Sequence, residues 1–186
     1  MPQVKKEQMV ERVDTLGFPS IPMSQTAFVP PDGDFVLLLP EKWFFVDLQR
    51  KGGSHILAVA TNPEYTLQLV VAVVRTVEDE DRLYQEQGIV GVARAEFAQR
   101  YRKAGGTIRL VGKFQKKRFG LKEFGVYRFT NDHGATVHRV AVFRTHQGNF
   151  YSCSLIQSLF AQQLVPPESY CEQLFRSVLI ALDFIQ

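Results

Sequence analysis

Apolar residues fall along this chain in short blocks separated by turn residues, and the spacing within each block distinguishes strands from helices. Phe35 to Leu39 is opened by Asp32-Gly33 and closed by Pro40, which predicts a strand. His55 to Ala60 follows the Lys51-Gly52-Gly53 turn, and Leu67 to Val74 follows Asn62-Pro63. The second of these runs lacks alternation, as expected of a central strand covered on both faces. The period then changes. Glu78 to Asp81 is acidic and suits a helix start, where the macrodipole favours negative charge. Val90, Ala93, Phe97 and Tyr101 recur at helical spacing, predicting a helix over Arg82 to Lys103 that Gly105-Gly106 ends. Gly88 and Gly91 predict a break near its middle.

From Thr107 the pattern is a meander, with strands expected over Thr107 to Gln115, Glu123 to Phe129, Ala135 to Arg144 and Asn149 to Gln157. Asn131 to Gly134 and His146 to Gly148 supply the residue types that tight hairpins demand. After Pro166-Pro167, Ser169 and Glu172 have capping-box spacing. Cys171, Leu174, Phe175, Val178, Leu179 and Leu182 then share one face of an amphipathic helix.

At the other end, residues 1 to 14 carry a thin apolar stripe that suits a short helix. Leu16 to Asp34, with Pro19, Pro22, Pro30 and Pro31, reads as an extended arm. Phe18 and Ile21 are among its apolar side chains, which need cover from this domain or from a partner. The order β-β-β-α-β-β-β-β-α predicts an α+β fold: an antiparallel sheet of six or seven strands with helices packed on it. The simplest packing lays both helices on one face. Residues 1–33 are expected to form the N-terminal helix and extended proline-containing arm, and residues 34–186 one domain.

Size and composition narrow the function classes. A chain of 186 residues with 45% apolar and 22% charged residues is ordinary globular protein. The net charge of +3 argues against nucleic acid as the partner. No apolar run approaches the ~20 residues that span a bilayer. Residues 1 to 15 lack the apolar core of a secretory signal, so a cytoplasmic location follows if the chain is complete, soluble or peripheral to a membrane. Cys153 and Cys171 read as two buried thiols.

Three local patterns carry a resemblance. Asp34-Phe35 through Pro40 and Trp43 is similar to an opening "GF-x4-P-x2-W", with Asp34 where Gly is usual. Leu67 to Val74 leads into an acidic helix start. Gly148-Asn149-Phe150-Tyr151 is followed by Ser158 to Gln163 and a helix ending at Phe184. Together, over about Asp34 to Gln186, these resemble the PsbP-like family, the fold of oxygen-evolving-complex extrinsic proteins and of a Ran-binding import factor. The resemblance implies an α/β/α sandwich. It also implies a non-catalytic subunit or assembly factor docking on a larger, often membrane-associated complex, photosynthetic in the case of the oxygen-evolving-complex proteins. Its motif residues serve packing and turning, and none transfers as a functional residue.

Catalytic chemistry finds little support. His133, His138 and His146 lie on or beside one hairpin system, where His138 and His146 could face each other, without further ligands at metal-site spacing. Cys153 and His138 could touch on neighbouring strands, but a core strand is a poor place for a reactive thiolate. Ser152 and Ser154 sit in a strand rather than at a nucleophile elbow. No cofactor motif is present.

The informative feature is basic. Arg109, Lys113, Lys116, Lys117, Arg118 and Lys122 lie within a stretch that contains no acid. Arg109, Lys113 and Lys117 share strand parity, hence one face. This stripe and the arm's Phe18 and Ile21 are the expected partner-binding residues. The partner would be a protein in a larger complex, with peripheral contact to anionic lipid. The bland alternative is a solvated edge protected by Lys. Two other functions fit the same sequence: a cytosolic chaperone or adaptor for a secreted or membrane partner, and a small-molecule sensor or enzyme using a sheet-helix pocket with His138 and Tyr151.

Overall fold

The computed structural model describes residues 13–14, 17–48, 55–131, 136–158 and 165–186. Along the chain lie β1 (Val13–Asp14), β2 (Met23–Phe28), β3 (Phe35–Pro40), β4 (Phe44–Phe45), β5 (Ile56–Thr61) and β6 (Leu67–Val73). Then come α1 (Glu80–Lys103), β7 (Arg109–Phe119), β8 (Lys122–Thr130), β9 (Val137–Arg144), β10 (Phe150–Gln157), α2 (Glu168–Ala181) and β11 (Asp183–Phe184). The main sheet has the order β1-β7-β8-β9-β10-β6-β5-β4, and a smaller one the order β11-β3-β2. Every pairing is antiparallel except that of β1 with β7. The α+β antiparallel architecture expected from the sequence is therefore the one that forms.

The two helices lie on opposite faces of the main sheet, not on one. Alternation decides this: Phe124, Val126, Ala141, Phe143, Tyr151, Cys153 and Leu155 share a core with α2 and β3. Their neighbours Tyr127, Phe129, Val140, Val142 and Phe150 share another with Leu83, Ile89, Val92 and Ala93 of α1. Both faces of β8, β9 and β10 are apolar, so one helix could not have covered them. Each large side chain buried in these layers is worth roughly 1.5–3 kcal/mol.

Asp79 caps α1 by accepting from the Arg82 N–H at 2.8 Å. The break in α1 falls at Gly88, whose φ of 68° only glycine adopts cheaply. A different glycine sets how closely α1 approaches the sheet. A Cβ on Gly125 would stand 2.6 Å from the Ile89 carbonyl oxygen, so β8 has no side chain where the helix crosses.

Several local expectations change. Val13 and Asp14, the end of the segment read as a helix, pair with β7 instead. Part of the proline-rich segment is a strand: β2 pairs with β3, and Ile21, Met23 and Phe28 pack against the α2-side core. α2 begins one residue after Pro167 and has no side-chain cap, so Ser169 and Glu172 form no capping box. Glu172 turns to the sheet instead. The helix stops at Ala181, and Phe184 lies in β11. The Lys51-Gly52-Gly53 turn, His133 and most of the Asn131–Gly134 turn lie outside the described residues, as do residues 1–12 and 159–164.

Candidate functional site

The α2 side of the sheet carries a groove of about 430 Å³ between β7, β8 and α2. β7 supplies Lys113 and Lys117, β8 supplies Arg128, β9 supplies Arg139, and α2 supplies Glu172 and Arg176. A register shift between Val111 and Gln115 adds residues to β7 and bulges it beside the groove. Parity is kept across the bulge, since Arg109 lies opposite Thr130 and Lys117 opposite Phe124. Arg109 and Lys117 thus share the groove face, as the sequence suggests.

Arg139 is the fixed point. It is 1% exposed, sits mid-strand among apolar residues and reaches the first turns of α2. Its Nε donates to Glu172 at 2.8 Å, and its terminal nitrogen to Glu168. Lys117 Nζ lies 3.3 Å from the other Glu172 oxygen, and Arg128 lies 3.8 Å from Glu168. Burial pushes the Glu172 carboxyl up, but the Arg139 hydrogen bond and the charges of Lys117 and Arg139 outweigh it, holding the group below its ordinary range. Five cations line the groove, facing Glu172 and the adjacent Glu168. The groove is therefore locally cationic, with five basic side chains against two carboxylates.

The remaining basic residues divide. Lys116 and Arg118 lie on the opposite face of β7 and both pair with Glu123, at 3.4 and 3.2 Å. Lys122 donates to the carbonyls of Ile180 and Leu182 at the end of α2, where a cation meets the negative helix terminus. Its pKa is lowered by burial, with Asp183 opposing. Arg109 and Lys113 are exposed and have no ion pair among the described residues. Phe18 is 84% exposed, whereas Ile21 is partly buried against the core. Their segment is tied to α2 by the backbone N–H groups of Ser20 and Ile21, which donate to Ser177 Oγ at 3.0 and 3.2 Å.

The other constellations come apart. Cys153 pairs with Ala141 and faces α2, while His138 faces the α1 side, so they cannot act together. Burial pushes the Cys153 thiol up to about 12. Tyr151, the other candidate pocket residue, also faces α2 and donates to buried Asp34 at 3.1 Å. Thr145 and Asn149 donate to the same Asp34 oxygen, tying the start of β3 to the β9–β10 hairpin. His138 and His146 do not face each other: one lies in β9, the other in the turn beyond it against Phe184. Among the described residues no cluster of His, Cys, Asp or Glu could hold a metal. No described helix is long and apolar enough to cross a membrane.

No protein-family model matches the chain, and no curated protein sequence does. Solved structures do match. The cyanobacterial PsbP (CyanoP) of Synechocystis superposes with a TM-score of 0.62 at 12% identity, over 86% of this chain and 92% of that one. The chain has the PsbP-like fold. The Ran-binding protein Mog1p of Saccharomyces cerevisiae matches at a TM-score of 0.52 and 14% identity, over 86% of this chain and 95% of its own. At such identities the PsbP-like likeness establishes the fold alone. The groove residues missed in the sequence were Arg128, Arg139 and Arg176. Arg139 left a signal: a charged residue inside an apolar strand is expensive unless it has a partner.

Proposed function

We propose that the chain is a binding module without a catalytic role, docking through its cationic groove on an acidic segment of a larger, membrane-associated protein complex. One observation carries this reading: Arg109, Lys113, Lys117 and Arg128 converge from two strands beside a groove whose floor is locked by Arg139. Lys116 and Arg118 lie on the other face of β7 and Lys122 is held at the end of α2, so the docking set we propose is narrower than the sequence stripe. Exposed Phe18, on the segment held against α2, would add an apolar anchor beside the charged surface. The yeast neighbour is a Ran-binding protein, which favours a protein partner. The family resemblance favours a complex at a membrane.

The test is co-purification of the full chain from separated membrane and soluble fractions, before and after a salt wash. Native protein should travel with a stoichiometric partner and leave it at high salt, because exposed charges are screened. Arg109→Glu with Lys113→Glu should end the association while leaving the unfolding midpoint within about 0.5 kcal/mol of native, since both side chains are exposed. An association that survives this double reversal and the salt wash refutes the proposal.

A further inference from the structure

α1 packs chiefly on β7, β8 and β9, and beside it the same sheet face forms a second groove over β5, β6 and β10. Its volume is about 360 Å³, within the range of small-molecule sites. The floor is apolar at Val70, Ala72 and Val74 and polar at Ser152 and Ser154, each serine only 2% exposed. The walls bring His55, Arg75, Arg100 and Lys103 together with a single acid, Glu96.

That acid is already occupied. Arg100 donates to one Glu96 oxygen at 2.8 Å, and the Tyr127 hydroxyl donates to the other. Arg100 also donates to the Tyr127 oxygen at 3.2 Å and reaches Ser154 Oγ at 3.4 Å, which fixes the guanidinium in place. Arg75 and Lys103 have no ion pair, and the Ser152 hydroxyl no hydrogen-bond partner, among the described residues. The surplus positive charge is felt at His55, whose pKa is lowered by burial and then by Lys103, Arg100 and Arg75.

We propose that this groove binds a small organic carboxylate with a short aliphatic body. Lys103 and the Ser152 hydroxyl would take the carboxylate, and Val70 and Ala72 the body. An inorganic anion would use the cations but leave the apolar floor wet. A neutral hydrocarbon would leave the serine hydroxyl and the cations without a partner. This site lies on the opposite face of the sheet from the docking groove and does not depend on it.

The experiment is a titration of the full-length protein with sodium hexanoate, followed by amide and imidazole NMR, with hexanol as the uncharged control. Saturable binding with Kd in roughly the millimolar range is expected for so small a ligand. Shifts should centre on Ser152, Ser154 and Lys103, and the His55 titration should move upward as an anion arrives. Hexanol should not saturate. Lys103→Glu, at an exposed position in the last turn of α1, should weaken hexanoate by about tenfold or more, while the unfolding midpoint falls only by the small contribution of one cation at a helix C-terminus. Absence of saturation, equal binding of hexanol, or undiminished binding by Lys103→Glu would each overturn the assignment.

Discussion

His138 should make the fold acid-sensitive well above the carboxylate range. The ring is 6% exposed, packs at a tilt against Phe129, and accepts the Gln157 N–H through Nδ1 at 3.1 Å. That bond requires an unprotonated Nδ1. Burial, then the charges of Arg100 and Arg139, lowers the pKa from 6.5 to about 4. The folded state therefore binds fewer protons than the unfolded one. The stability this provides is complete above the unfolded value of 6.5 and is lost as pH falls toward about 4. Linkage between these two values gives a loss of about 2 kcal/mol between roughly pH 7 and pH 5. Its limit, some 2.5 units at about 1.4 kcal/mol each, is on the order of 3 kcal/mol.

Urea unfolding followed by the fluorescence of the single Trp, the buried Trp43, measures this directly. His138→Asn places an amide oxygen where Nδ1 accepts, and it does not titrate. Other groups contribute to both proteins and cancel in the difference. The stability gap between native and variant should therefore shift in the variant's favour by about 2 kcal/mol on acidification from about pH 7 to pH 5. Parallel pH profiles for the two proteins would refute the argument.

Three further predictions test the scaffold. Gly125→Ala should cost about 1–3 kcal/mol or displace α1, because its Cβ would stand 2.6 Å from a backbone oxygen; a melt with near-ultraviolet dichroism checks it. Asp34→Ala removes the shared acceptor of Thr145, Asn149 and Tyr151 and should cost about 2–4 kcal/mol in urea unfolding. Glu168→Ala with Glu172→Ala strands a buried guanidinium and should cost about 3–5 kcal/mol, more than Arg139→Met, whose half-exposed carboxylate partners can turn to water. Because the Glu172 pKa is depressed, its stabilisation is present above about 4.5 and is lost as pH falls through the lower folded value, so Arg139→Met should flatten the acid limb.

What the residue pattern alone determines follows from local physics. The two central runs, the hairpin meander and the six-residue apolar face of α2 announce themselves because strand and helix periods are short-range properties of the backbone. The kink at Gly88 belongs with them, since a left-handed φ favours glycine regardless of context. The face shared by Arg109 and Lys117 was legible for the same reason.

Tertiary structure decided the rest. Ser169 and Glu172 have capping spacing, yet Glu172 is drawn to Arg139, more than thirty residues away, because a buried guanidinium outweighs a local amide as a partner. Alternation already takes Lys116 and Arg118 off the face of Lys117, but that both meet Glu123 depends on the register of β7 with β8. Helices on opposite faces, and an edge strand made from a proline-rich segment, depend on what lies across the sheet. Period shows which side chains share a face; only the packed chain shows what each face meets.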